Sequence, residues 1–320
     1  MSIKHVISVS GGKDSTATLL LAIHRFGRRN LEPIFCDTGN EHEAVYSYLG
    51  YLERELDVRI HRLRADFSEE IKAKRMFIAR DLRTRRDDKG RRVRWSNKAK
   101  RRALAVLNPT GIPFLDLCLW KGRFPSRKAQ FCTEQLKRDP AVEFQMALMD
   151  QGFTVVSWQG VRRDESLNRR NAKSFERIAP NLFIFRPIVD WSAADVFSYC
   201  ADMGIRPNPL YLQGMGRVGC MPCINANKKE FREIAARFPE HIQRIAGWEK
   251  LVALASKRTA ATFVPAPGIS PREASHHGIY SVIDWANTSR GGKQYDILAG
   301  LIETSGCTSS YGLCDQREAA

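Results

Sequence analysis

The chain opens on a short apolar run, His5-Val6-Ile7-Ser8-Val9, and a little further on Thr16-Ala17-Thr18-Leu19-Leu20-Leu21-Ala22 carries apolar positions at helical density. These predict a buried strand over 5–9 and a helix over 14–27 that closes at Gly27. A second strand is predicted over 32–36, a turn at Asp37-Thr38-Gly39-Asn40, a helix over 41–56 and a third strand over 58–63. Further on, the pattern predicts a helix over 133–151 beginning near Thr133, a strand over 153–158 followed by a loop at 159–163, and a last strand over 182–188. Ser192 stands where an N-cap would open a helix over 193–203, with Asp195 at its third position. An irregular segment runs from Asn208 to Cys220, residues 228–257 look helical, and 258–320 is rich in Gly, Ser and Pro and reads as an extension that wraps the core. Strands alternating with helices predict a doubly wound, parallel α/β sheet covered on both faces. No internal repeat is visible.

Charge changes this picture in one place. The formal net charge is +16, and between Lys72 and Arg102 fifteen Lys or Arg stand against three Asp. The stretch 72–103 reads as a basic insertion in the sheet domain, exposed in its middle and with flanks open to helix formation. A solvated face accounts for such a run. So does a polyanionic partner, most simply nucleic acid. No run of eighteen apolar residues occurs in the sequence, so no membrane helix is expected. The start of the chain passes straight into a strand pattern, which predicts a cytoplasmic protein.

The chemistry begins at Ser10-Gly11-Gly12-Lys13-Asp14-Ser15, between the first strand and the first helix. Glycines there remove the Cβ atoms that would keep a phosphate from backbone N–H groups, and the helix N-terminus adds positive potential. Ser10 and Ser15 offer hydroxyl donors. Lys13 can neutralise charge as phosphates separate, and Asp14 can either help hold Mg²⁺ or cap the helix. Eight cysteines are present. Cys36, Cys118 and Cys200 lie in apolar patterns and read as buried structural thiols. Cys220-Met221-Pro222-Cys223 suits zinc, an iron–sulfur cluster or a redox dithiol, with Cys132, Cys307 and Cys314 as further candidates. The pair His276-His277 reads as surface loop.

The six-residue loop resembles the PP-loop of the adenine nucleotide α-hydrolase superfamily, the ATP pyrophosphatases. Asp37-Thr38-Gly39, the stretch Trp158-Gln159-Gly160-Val161-Arg162-Arg163-Asp164-Glu165-Ser166 with Arg169 beyond, and Asn208-Pro209-Leu210-Tyr211 leading to Arg217-Val218-Gly219-Cys220-Met221-Pro222-Cys223 narrow the resemblance to the PAPS reductase-like family. The resemblance covers roughly residues 3–240. It implies an adenine nucleotide α-hydrolase-like sheet with the nucleotide at the carboxyl ends of the strands. Ser8, Ser10, Gly11, Gly12 and Ser15 would then line the phosphate site, Asp37 and Thr38 would sit near adenine or ribose, and Gly160 and Arg162 would close the site. An iron–sulfur subset of the family carries an upstream Cys-Cys pair and a downstream Cys-x-x-Cys. Here the upstream place reads Gln130-Phe131-Cys132-Thr133, so a fourth ligand must come from elsewhere. The set chosen is Cys132, Cys220, Cys223 and Cys314, with Cys307 close behind, for a [4Fe–4S] cluster, zinc being the alternative.

Sulfonucleotide reductases of this family commonly lose the lysine and aspartate of the loop. Lys13 and Asp14 are both present, so the sequence favours an ATP pyrophosphatase that adenylates an acceptor for sulfur incorporation. It is similar in character to the ATP pyrophosphatase subunits of DNA phosphorothioation systems and to tRNA-thiolating relatives. In this expectation Lys13, Asp14 and Arg162 act in catalysis, ATP and Mg²⁺ are the small ligands, DNA or tRNA is the partner, and a cysteine desulfurase is a possible sulfur donor. A reductase using Cys314 as nucleophile and an ATP-binding regulatory module are the competing readings. The expected domain boundaries are 1–227 for the nucleotide-binding α/β domain with its insertion, and 228–320 for the extension, which contributes to the cysteine cluster.

Overall fold

The computed structural model describes residues 2–81, 85–86, 89–90, 92–93, 95–289 and 294–295. Cys307 and Cys314 lie outside them. The first strand, β1 (Ile3–Ser8), buries Val6 and Ile7 completely and runs into α1 (Lys13–Phe26). Next come β2 (Leu31–Cys36), α2 (Glu43–Leu56), β3 (His61–Leu63) and α3 (Ser68–Arg80). The insertion carries a two-stranded ribbon, β4 (Arg85–Arg86) with β5 (Arg92–Val93), and closes in α4 (Asn97–Val106), and α5 (Pro113–Lys121) follows it. A short α6 (Phe131–Thr133) continues through a π-helical stretch, 134–138, into α7 (Asp139–Asp150).

The sheet is completed by β6 (Thr154–Trp158), β7 (Phe175–Ala179) and β8 (Leu182–Phe185). Its order is β3-β2-β1-β6-β8-β7, parallel throughout except for the β7–β8 pair. The chain winds outward from β1 toward β3, then returns to the other side of β1 at β6. That reversal leaves a crevice at the carboxyl ends of β1 and β6, and α1 and the loop after β6 both begin there. Beyond the sheet lie α8 (Ala193–Asp202), α9 (Pro209–Leu212), α10 (Lys228–Arg237), α11 (Pro239–Ala255), α12 (Pro271–His277) and α13 (Ile279–Ala286), then a small ribbon of β9 (Thr288–Ser289) with β10 (Gln294–Tyr295).

Several expectations need correction. The third strand covers 61–63 only. The helical stretch 228–257 breaks at Phe238, because Pro239 bars helical geometry in the residue before it (φ −134°, ψ 56°). The pair His276-His277, read as surface loop, forms the last turn of α12, and α12 with α13 organises 271–286 of the extension. The segment after Asn208 opens with a helical turn. Cys36 is half-buried rather than enclosed, and its thiol meets the Lys137 carbonyl at 3.3 Å. Ser192 does form the expected cap, as a full capping box with Asp195. No helix among the described residues is long and apolar enough to cross a membrane.

Candidate functional site

The glycine turn is braced from inside and from across the molecule. Gly11 has φ +74°, a left-handed geometry that glycine adopts without strain, and a Cβ there would press on Val45 Cγ1 at 3.0 Å. The Ser15 hydroxyl donates to Gly12 O at 2.9 Å and accepts from the Ser10 amide at 3.0 Å, with the Ser10 hydroxyl 3.2 Å away. Ser10 and Ser15 therefore hold the turn's own shape. Asn208 donates from Nδ2 to Gly11 O at 3.1 Å, and the Lys13 amide donates to the Tyr211 hydroxyl at 3.1 Å. The Asn-Pro-Leu-Tyr motif is thus the outer brace of the loop, a role its sequence did not reveal. Gly12, the N-cap of α1, offers no side-chain cap, and the Tyr211 hydroxyl takes the first amide of the helix instead. Ser8 closes β1 beneath it, half-buried.

Charge is arranged around Asp14. Its two oxygens take Lys13 Nζ at 3.1 Å and Arg162 Nε at 2.5 Å. The Lys13 side chain is only 8% exposed, and its ammonium lies about 6 Å from the rings of Phe197 and Tyr211. Arg162 is buried and also bonds Asp164 at 2.5 Å and Trp191 O at 3.3 Å. Gly160 makes this meeting possible, because a Cβ on it would lie 2.8 Å from the carbonyl carbon and oxygen of Asp14. Lys13, Asp14, Gly160 and Arg162, expected together from sequence, are together.

The second loop, 37–41, leads away from β2. Asp37 accepts from Gly39 N at 2.9 Å and the Tyr46 hydroxyl at 2.8 Å, and pairs with Arg64 at 3.3 Å. Thr38 is buried, and its hydroxyl donates to Glu41 at 2.7 Å. Glu41, also buried, collects five donors: the Thr38 and Asn40 amides, the Thr38 and Tyr46 hydroxyls, and the Cys220 thiol at 3.5 Å. This carboxylate was not anticipated, because the contact that ties it to the cysteines comes from Cys220, 179 residues away.

Glu41 leads directly to the cysteines. Asn40 O accepts from Met221 N at 2.8 Å, Asn40 Nδ2 donates to Pro222 O at 3.0 Å, and Arg244 of α11 bonds both Asn40 Oδ1 and Met221 O. The thiolate form of Cys220 first, and Glu41 with the thiolate forms of Cys223 and Cys132 after it, would favour the ammonium of Lys137 against the opposing effect of its burial. Burial pushes the Cys220 thiol up to about 12, against the pull of Lys137. Burial, with Cys223 beside it, also raises Cys132. Arg217 and Arg244 lie within the same field. Three thiols of the expected set thus converge amid cations, a donor set suited to an anionic thiolate cluster.

Among the described residues one group of metal-type side chains does come within 4.8 Å: His42, Glu240 and His241. The two rings are stacked, 19° from parallel, so their in-plane lone pairs do not converge on a shared point. His42 Nδ1 moreover accepts from Ala44 N at 2.9 Å. This is a helix cap with a stacking partner, not a chelate.

A glycine turn at a helix N-terminus, placed where a parallel sheet reverses its winding, defines a nucleotide-binding α/β protein. The chain belongs to the phosphoadenosine phosphosulfate reductase domain family, whose model matches residues 4–226. It is 44% identical to an uncharacterized 37.8 kDa protein of Escherichia phage 186, across 97% of this chain and 96% of that one. A shorter stretch, 25% of this chain and 44% of the relative, is 37% identical to the adenosine 5′-phosphosulfate reductase of Rhizobium tropici. The phosphoadenylyl-sulfate reductase of Candida auris is similar in shape at a TM-score of 0.40 and 15% identity, over 70% of this chain and 83% of that one.

Proposed function

We propose that this protein uses ATP to adenylate a nucleic-acid acceptor, as the activating half of a sulfur-incorporation reaction. The observation that carries this reading is Lys13, held by Asp14 in the first turn of α1 beside the glycine turn. A sulfonucleotide has no β–γ pyrophosphate for that lysine to neutralise, whereas ATP does. An acceptor oxygen attacks the α-phosphorus, the bond from that phosphorus to the bridging oxygen breaks, and pyrophosphate leaves. Its charge is met by Lys13 and the first N–H groups of α1. The terminal sulfur of a persulfide, delivered by a donor such as a cysteine desulfurase, then displaces AMP from the adenylated carbon or phosphorus and leaves the acceptor joined to the donor through an S–S bond. A second thiol attacks the donor's sulfur, releasing the thiolated acceptor and forming a disulfide between donor and thiol. Both Asp14 oxygens are engaged by cations, so Asp14 fixes Lys13 and Arg162, and Mg²⁺ would be carried mainly by the phosphates.

Cys132, Cys220 and Cys223, with Cys314 or Cys307 as the fourth, would hold a [4Fe–4S] cluster. Such a cluster supplies one-electron chemistry when bound. An anaerobic visible spectrum of freshly purified protein checks this: broad iron–sulfur absorption is expected, and its absence together with stoichiometric zinc would refute it.

The decisive experiment uses ATP labelled at the α-phosphate, mixed with DNA or tRNA and a persulfide donor. AMP and pyrophosphate are expected, dependent on acceptor and lost in Lys13→Ala. The stretch similar to an adenosine 5′-phosphosulfate reductase supports a second reading, a sulfonucleotide reductase with Cys314 as nucleophile. Sulfite released from a sulfonucleotide in the presence of thioredoxin, with ATP untouched, would establish that reading instead. ATP binding with no product in any mixture would leave a regulatory module.

A further inference from the structure

The basic insertion divides into cations that build the fold and cations that do not. Lys74 donates to Leu119 O and Trp120 O at 2.8 and 2.7 Å, closing the end of α5. Arg75 bonds Leu104 O and Leu107 O at the end of α4, and Arg102 bonds Leu254 O and Ser256 O at the end of α11. These three satisfy helix C-terminal carbonyls. With Ile71 and Ile78, both fully buried, Lys74 and Arg75 make the inward face of α3.

The outward face is different. Lys72, Met76 and Arg80 recur at every fourth residue, which places them in one stripe, with Phe77 beside them. Met76 is 49% exposed and Phe77 47% exposed, although Ile71 and Ile78 already supply this helix's core contacts. On α4, packed against α3, Lys98 and Arg101 are exposed one turn apart. Lys98 stands in the first turn of a helix that has no acidic residue there. A cation at that end opposes the helix dipole, so the placement costs stability that a bound anion would restore. The exposed side of α3 therefore carries Lys72 and Arg80 together with two apolar side chains, and Lys98 and Arg101 add exposed positive charge on the neighbouring helix.

We propose that the outward face of α3 and α4 binds single-stranded nucleic acid, with Phe77 and Met76 packed on unstacked bases and Lys72, Arg80, Lys98 and Arg101 on phosphates. A duplex hides its base faces within the stack, so an exposed aromatic on a basic face matches a single strand, where stacking is sequence-tolerant. The platform also joins the nucleotide loop. The amide of Phe114 in α5 donates to Thr38 O at 2.9 Å, Arg64 bridges Asp37 to Gly111 O, and α3 packs on α5. A strand held on α3 and α4 thus lies on a unit anchored at the rim of the ATP site. This inference deepens the nucleic-acid reading above and rests on it.

Fluorescence anisotropy with labelled oligothymidylate and with a duplex of equal length, at several salt concentrations, tests it on the full chain. The strand is expected to bind more tightly than the duplex. Phe77→Ala should weaken strand binding roughly 10-fold, with Phe77→Trp restoring it and ATP binding and melting temperature unchanged in both. Lys98→Glu with Arg101→Glu should lower the salt slope for the strand by about 0.7 for each phosphate no longer neutralised. If Phe77→Ala leaves strand affinity intact, or the duplex binds as tightly as the strand, the stacking proposal falls while the nucleic-acid acceptor stands. If neither binds while Mg-ATP does, both fall.

Discussion

Gly160 has no room for a side chain. A Cβ there would lie 2.8 Å from two backbone atoms of Asp14, which cannot rotate aside. Gly160→Ala should therefore push the loop after β6 away from α1, at a cost of about 1–3 kcal/mol, and part Arg162 from Asp14. A lowered melting temperature together with at least ten-fold weaker ATP binding by titration calorimetry is the expected result, and unchanged ATP affinity would show that the two loops need not touch. Asn208→Ala removes both the cap on Leu210 N and the bond to Gly11 O. A loss of about 1–2 kcal/mol in urea unfolding is expected. The Ser-Gly-Gly-Lys-Asp-Ser loop was legible because its chemistry is contiguous in sequence. Glu41, Lys137 and Arg244 were not, because what links each of them to the Cys220 loop crosses the chain: Glu41 and Lys137 meet Cys220, and Arg244 joins Asn40 to Met221.

At the scale of elements, hydrophobic alternation located β1, β2, β6 and β8, whose residues are largely withdrawn from solvent. It missed β7, an edge strand whose Phe175 and Ile178 are both exposed, so that no buried face is written into its sequence. It also missed α5, where nearly every residue from Pro113 to Leu119 is buried and no helical stripe of polar positions remains to be read. The junction of α2 with α11 makes a pH prediction. Burial first, and Arg244 beside them, hold both His42 and His241 below the ordinary value of 6.5, outweighing Glu43 and Glu240. Below pH 6.5 the unfolded chain takes up protons that the native rings refuse. Stability contributed by the neutral pair is therefore complete above 6.5 and is lost as pH falls toward the folded values. Urea midpoints should drop as pH is lowered from 6.5, and His241→Gln should flatten that slope. His5, also held low by burial, should leave part of it in place.

Across the whole molecule, the family match ends at residue 226, yet the packing does not. Phe114 of α5 meets Trp248 of α11 at 5.8 Å and Phe263 at 6.2 Å between ring centroids, and Phe124 meets Phe263 at 5.6 Å. These rings belong to one continuous core that also contains Ile7, Leu19 and Trp158 of the sheet domain and Ile279 and Val282 of α13. Glu249, a buried carboxylate raised by its burial, accepts from Phe263 N at 2.7 Å and Ile279 N at 2.8 Å, so α11 also organises the chain on its C-terminal side. Polar pinning runs the same way, since Arg244 of α11 holds the loops of Asn40 and Met221 and Arg102 of α4 closes α11. A shared core of this kind predicts that residues 2–289 melt in one cooperative transition, with calorimetric and van't Hoff enthalpies equal. Trp248→Ala should lower that single transition by about 3–5 kcal/mol, carrying sheet and extension together. Ellipticity, which reports on all the helices, and the ATP binding proposed above, which would report on the loops at the carboxyl ends of β1, β2 and β6, should then be lost at the same temperature. If ATP binding survived after the helical signal of the extension had gone, the extension would be a separate unit and Arg244 a surface contact between two of them.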